Sequence, residues 1–198
     1  ENEVRYVLEN SDARTIITSS RLLDLAASAS SDLPGVALRL AVGAEGSGFR
    51  DFYSALAQCS AAVPEFERDG GSMPYSSGTT GFPKGVLRDL TDDRFGTPNS
   101  LELLLSQLYK IDADSVYLSP APLYHSSPVG FTGTLLVRGG TIVVMPNFDA
   151  EQVLAAIERY RITHAQFVPT HFVRMLRLPQ DVRESFDLSS LTTVVHAA

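Results

Sequence analysis

Between Met73 and Val86 the chain gathers hydroxyls, glycines and one cation in the run MPYSSGTTGFPKGV. Ser76, Ser77, Thr79 and Thr80 carry side-chain donors. Gly78, Gly81 and Gly85 let the backbone come close to an anion, and Lys84 adds a compact positive charge. Amides, hydroxyls and a single ammonium together make a cradle for phosphate oxygens. The P-loop of nucleotide triphosphatases is a different cradle, because it requires Gly-x-x-x-x-Gly-Lys-Ser/Thr. Here Pro83 precedes Lys84 and Gly85 follows it, so the magnesium-binding hydroxyl of that motif is missing. Pro83 also brings no amide donor. The segment reads as a flexible cover over phosphates, with a ligand-free Gly/Ser/Thr surface loop as the plain alternative.

A second group follows at Pro120-Ala121-Pro122-Leu123-Tyr124-His125. It comes directly after a strand-like run, where open α/β sheets place ligand-contacting loops. His125 is the candidate there, against the alternative of a helix-capping or core histidine, and Tyr124 reads as a packing residue. Gly130, Phe131, Gly133 and Thr134 follow on the next helix, where the small residues, Gly130 and Gly133 above all, suit either close packing or an acyl pocket. His164 reads as structural. His171, just after Pro169-Thr170, suits either a pocket wall or the surface. Four histidines with one lone cysteine and no His-x-x-x-His spacing do not suggest a zinc site. Arg88 reads as solvated surface.

The elements that must position these residues alternate. Helices are expected at Val4 to Leu8, Arg21 to Ala29 and Asp51 to Ser60, and strands at Thr15 to Thr18, Val36 to Val42 and Met73 to Ser76. Ala62 to Gly71 is a connector. Further helices are expected at Pro98 to Tyr109, Val129 to Val137, from the Asp149 cap to Tyr160, and at Thr170 to Leu176. Strands fall at Val116 to Ser119, Thr141 to Met145, Ala165 to Val168 and Thr193 to His196. Such alternation predicts an α/β fold, with parallel or mixed sheets flanked by helices.

Bulk properties exclude several classes. The chain has 198 residues, 44% hydrophobic and 20% charged, with a net charge of −7 and no basic stripe, which argues against nucleic acid as a partner. Cys59 is alone, so no disulfide framework is expected and a reducing, cytoplasmic setting fits. No apolar run approaches the length of a membrane span, and no signal peptide is read at Glu1-Asn2-Glu3-Val4-Arg5.

Ser76-Ser77-Gly78-Thr79-Thr80-Gly81-x-Pro83-Lys84-Gly85 resembles the signature of the adenylate-forming superfamily, which holds acyl-CoA synthetases, peptide-synthetase adenylation domains and beetle luciferases. Val4 to Arg14, Phe148-Asp149-Ala150-Glu151, Thr163-His164, Val168-Pro169-Thr170 and Asp187 to Leu191 are similar to further segments of that family, in the same order. The resemblance implies ATP-dependent activation of a carboxylic acid, fatty or similarly bulky, and transfer to coenzyme A. Ser76, Ser77, Gly78, Thr79, Thr80, Gly81 and Lys84 would hold the phosphates, and Thr80 would stand near Mg2+. Pro122-Leu123-Tyr124-His125 is similar to the family's "P-L-x-H" motif. This places His125 at the acyl carboxylate, with Gly130 and His171 as further substrate-side candidates. His196 stands where related enzymes often have a small residue.

The resemblance also implies that residues 1–198 are one part of a larger N-terminal domain, 1–72 before the phosphate segment and 73–198 carrying it and the acyl site, without the C-terminal lid. The piece alone is expected to be inactive and to self-associate through its last strand. The alternatives are an adenylation domain for an amino or aryl acid, or a non-catalytic nucleotide-binding module on the same fold. A serine hydrolase lacks its Gly-x-Ser-x-Gly elbow here.

Overall fold

The computed structural model describes residues 1–76, 82–87 and 89–196. The chain folds as two compact units, Glu1–Phe95 and Gly96–Ala198.

In the first unit, helix α1 (Asn2–Asn10) precedes strand β1 (Thr15–Ser19), a short 3-10 turn and helix α2 (Leu23–Ser30). Strands β2 (Leu38–Val42) and β3 (Arg50–Asp51) complete a parallel sheet in the order β1-β2-β3. The β-branched run Thr15-Ile16-Ile17-Thr18 suits β1. Ala26 of α2 packs with Ala41 of β2 and with Phe49 to form the core. Helix α3 (Phe52–Leu56) starts at Asp51, whose carboxylate accepts the Ser54 amide at 2.8 Å. The sequence suggests a helix to Ser60, but α3 stops at Leu56. Tyr53 and Leu56 are exposed, so no buried apolar stripe extends the helix, and a short helix is marginal without one. Two further strands, β4 (Tyr75–Ser76) and β5 (Lys84–Gly85), pair antiparallel.

The second unit is a four-stranded parallel sheet between two helical layers. Helix α4 (Ser100–Tyr109) is capped by Asn99, which accepts the Glu102 amide. Strand β6 (Val116–Ser119), helix α5 (Ser126–Arg138), strand β7 (Thr141–Val144) and helix α6 (Ala150–Tyr160) follow. Asp149 caps α6 as expected, accepting the Gln152 amide at 2.9 Å. Strand β8 (His164–Phe167) leads to helix α7 (Pro169–Leu176), with proline at its tolerated first position. A short helix α8 (Gln180–Glu184), not foreseen in the sequence, precedes strand β9 (Thr193–His196).

The sheet order is β7-β6-β8-β9. Tyr117 of β6 points into a core with Leu105, Phe131 and Leu135 from α4 and α5. Its neighbour Leu118 joins Val153 and Ile157 of α6 on the opposite face. Alternate residues of one strand therefore serve two cores, as a doubly covered sheet requires. Gly140 joins α5 to β7 where a Cβ would meet the Ser115 carbonyl oxygen at 3.0 Å, so only glycine fits. The chain leaves β6 through α5 for one side of the sheet, then crosses back through α6 to β8 on the other. The carboxyl ends of β6 and β8 thus flank a topological switch point, where open α/β sheets bind ligands.

Candidate functional site

The candidate residues fall into two groups, one in each unit. In the first unit, β4 and β5 form the stem of the hydroxyl- and glycine-rich segment. Ser76 pairs with Lys84 and Tyr75 with Gly85, and the Val86 amide donates to the Pro74 carbonyl at 2.9 Å. The return strand β5 was not expected from sequence. Lys84 is exposed and forms no ion pair with another described residue. An exposed lysine on a strand paired with a serine fits a phosphate group. Ser77, Gly78, Thr79, Thr80 and Gly81 lie outside the described residues, as does Arg88.

The second group lies at the switch point. β6 ends at Ser119, and Pro120 and Pro122 direct the chain out of the sheet before α5 begins. His125 occupies the N-cap of α5 with its backbone, but its imidazole makes no capping bond. The ring is exposed and lies against Tyr124, with centroids 4.6 Å apart. The expectation that Tyr124 packs is corrected. It is 83% exposed, because the proline-rich loop holds it outside both cores. Among the described residues no side chain caps α5, so its first turn offers the Ser126 and Ser127 amides, Pro128 having none, at the positive end of a 13-residue helix. That end suits a carboxylate.

On the neighbouring strand β8, Gln166 is buried and donates its amide to the Ser127 hydroxyl at 2.5 Å, tying β8 to the first turn of α5. Sequence reasoning missed Gln166. The signal was a lone amide within an apolar strand.

His171, at the start of α7, is 9% exposed, so surface placement is excluded. Its ring stacks on Phe148 at 4.1 Å and 6°, and Nδ1 accepts the Val168 amide at 3.5 Å. The hydrogen-bond network therefore assigns the ring proton to Nε2. Burial, and then the nearby charge of Arg174, holds its pKa below the usual histidine value.

Gly130 and Gly133 do not exist for close packing. A Cβ at Gly130 would meet only Leu101, at an ordinary 3.7 Å, and one at Gly133 would meet nothing within 4 Å. His164 is structural, as expected. Its Nε2 donates to the Tyr109 carbonyl at 2.8 Å, and its Nδ1 lies 2.7 Å from the Thr163 hydroxyl. It borders a cleft of about 430 Å³ with Lys110, Asp112 and Thr193. That cleft lies at the amino ends of the strands, the opposite end of the sheet from His125. His196 is exposed at the end of β9, its ring edge-on to Phe172. No three His, Cys, Asp or Glu among the described residues gather as a metal site. Nor is any described helix long and apolar enough to cross a membrane.

Comparison with known proteins agrees with this architecture. The chain belongs to the AMP-binding enzyme family, whose profile matches residues 1–198. A medium/long-chain-fatty-acid–CoA/3-oxocholest-4-en-26-oate–CoA ligase from Mycolicibacterium smegmatis is 29% identical over all of this chain and 40% of its own length. An indoleacetate–CoA ligase from Aromatoleum aromaticum is 34% identical over 74% of this chain and 28% of its own. Among solved structures, a putative long-chain-fatty-acid CoA ligase from Rhodopseudomonas palustris superposes with a TM-score of 0.80 at 23% identity. The superposition covers 99% of this chain and 47% of that one, and shows the fold. The chain thus spans less than half the length of these relatives.

Proposed function

We propose that the protein activates a carboxylic acid with ATP, forming an acyl-adenylate and pyrophosphate, and then passes the acyl group to coenzyme A. The observation that carries this reading is Lys84, held opposite Ser76 at the base of the hydroxyl- and glycine-rich segment, in a chain that matches the AMP-binding family throughout. In the first step a carboxylate oxygen bonds to the α-phosphorus as the bond to pyrophosphate breaks. Negative charge on the phosphate oxygens must be held and the reactants kept in line. Lys84, Ser76, Ser77, Gly78, Thr79, Thr80 and Gly81 take the phosphates. Thr80 is the candidate that would hold Mg2+, which would supply positive charge to the phosphate oxygens. The uncapped start of α5 and the exposed imidazole of His125 face the acid's carboxylate, with Gly130 and His171 on the substrate side.

A fatty or similarly bulky acid is the proposed substrate. The supporting fact is that two relatives are named for a fatty or steroidal acid and for indoleacetate.

Pyrophosphate release by the protein at its full natural length, against a panel of carboxylic acids with and without coenzyme A, tests the reading. Lys84→Ala should weaken ATP use by about 1.5–3 kcal/mol, the value of a charge-assisted phosphate contact. His125→Ala should alter the kinetics of the acid more than those of ATP. An unchanged release rate in Lys84→Ala overturns the phosphate assignment, and a change confined to the KM of ATP in His125→Ala overturns the acyl-side one.

A further inference from the structure

The β4–β5 stem is two residues deep on each strand, and an isolated ribbon of that size is not stable in water. Helix α1 supplies what holds it. The Tyr75 hydroxyl donates to Asn10 Oδ1 at 2.8 Å and reaches the Val7 carbonyl at 3.5 Å. The Tyr75 ring lies across Gly85. A Cβ there would stand 2.9 Å from Tyr75 Cζ and collide with the Met73 side chain, so glycine is what lets the ring press on β5. On the other side of the segment, Phe82 stacks on Tyr6 with centroids 4.7 Å apart. Tyr6 and Asn10 are four residues apart and share one face of α1. The residues entering and leaving the Ser77–Gly81 run are therefore both fastened to neighbouring turns of one helix.

The geometry points to Asn10 and Tyr75 as positioning residues that set the aim of Lys84, with Tyr6 and Phe82 as the second fastening. The chain of contact runs from Asn10 through the Tyr75 hydroxyl and ring to Gly85, the residue after Lys84. The inference rests on the reading of Lys84 as the phosphate-binding cation. It adds that α1, which carries none of the chemistry, decides where that cation points. Tyr75→Phe keeps the ring over Gly85 and removes only the bond to α1, so it separates aim from packing.

The test uses Asn10→Ala, Tyr75→Phe and Asn10→Asp in the protein at its full natural length. Asn10→Asp retains an oxygen that accepts the tyrosine hydroxyl. Asn10→Ala and Tyr75→Phe are expected to raise the KM for ATP about three- to tenfold while the KM for the acid stays within about twofold, as loss of one such hydrogen bond predicts. Asn10→Asp is expected to return the KM for ATP to the wild-type value. Tryptic cleavage after Lys84, which needs no activity, should accelerate in Asn10→Ala and not in Asn10→Asp. An equal rise in both KM values, no rescue by Asn10→Asp, or an unchanged KM and cleavage rate overturns the inference. A wild-type protein that releases no pyrophosphate with any acid, yet shows the expected cleavage pattern, sinks the adenylation reading and leaves the fastening by α1 standing.

Discussion

His171 illustrates how much a single side chain's chemistry depends on its neighbours. Its ring is sandwiched in a local stack, with Phe148 parallel to it, Phe167 edge-on at 6.1 Å and the Arg174 guanidinium 4.8 Å from the Phe148 ring. Desolvation and the Arg174 charge disfavour its protonated form, so its folded pKa lies below the 6.5 of an unfolded histidine. The sign follows from proton counting. Below pH 6.5 the unfolded chain takes up a proton that the folded chain refuses. The contribution of this group to stability is therefore complete above that pH and is lost as the pH falls toward the folded pKa. His171→Phe keeps an aromatic ring for the stack and removes the titration. Between about pH 8 and 5, its melting temperature should fall less steeply than that of the wild type. Parallel curves for the two proteins would show that His171 does not titrate with folding. Lys84 and His125 could be proposed from the sequence because the motifs that suggest them are runs of contiguous residues. The environment of His171 could not, because Phe148 reaches it only through the packing of α7 against the segment before α6.

At the level of elements, what the sequence made legible was whatever local chemistry decides. Asp149 before an apolar-periodic run marked α6, and the β-branched runs marked β1 and β7. The two-residue strands β3 and β5 were not legible, because each exists only through pairing with a partner, β2 or β4. The pairing of α4 with α5 belongs to the same class. Glu102, in the first turn of α4, is 5% exposed, and its carboxylate lies 3.2 Å from Arg138 Nε at the end of α5. That contact is an ion pair without hydrogen-bond geometry, and the hydrogen bond Arg138 makes is from Nη2 to the Ser106 hydroxyl at 3.1 Å. This pair fastens the helix that starts at His125 to its neighbour. Removing the cation alone leaves a carboxylate buried without its partner, which costs about 3–5 kcal/mol in a fully buried pair. The Arg138 side chain is 33% exposed, and solvent screening brings the expectation for Arg138→Met to about 2–3 kcal/mol. Replacing both residues with methionine should recover most of that loss, since no charge then remains in the interior. Urea unfolding of the two single variants and the double variant measures the coupling, and simple additivity would mean the pair contributes nothing as a pair.

At the largest scale, the edge strands β7 and β9 of the four-stranded sheet are informative, β9 above all. Strand β9 pairs with β8 on one side, and among the described residues no strand pairs with its other side. Its sequence is TVVH, a β-branched run without lysine, proline or a bulge, the devices that usually blunt an edge. Val194 is 45% exposed on that strand. Within the same unit, α4 exposes Leu101, Leu104 and Leu108 at helical spacing. Unpaired amides and carbonyls beside apolar side chains make a template for another strand. The net charge of −7 is spread over the chain, and none of it lies on β9 itself to oppose such pairing. The 198-residue chain is therefore expected to self-associate at micromolar concentration, with β9 of one copy against β9 of another. Val194→Lys places a charge on this strand without touching its pairing to β8, which runs through the backbone. Light scattering should show the apparent mass of Val194→Lys falling toward 21.4 kDa, with the wild type remaining heavier at the same concentration. If the wild type is already monomeric, the edge is inert. If both proteins associate equally, the contact lies elsewhere, and the α4 leucines, tested by Leu104→Lys, become the surface responsible.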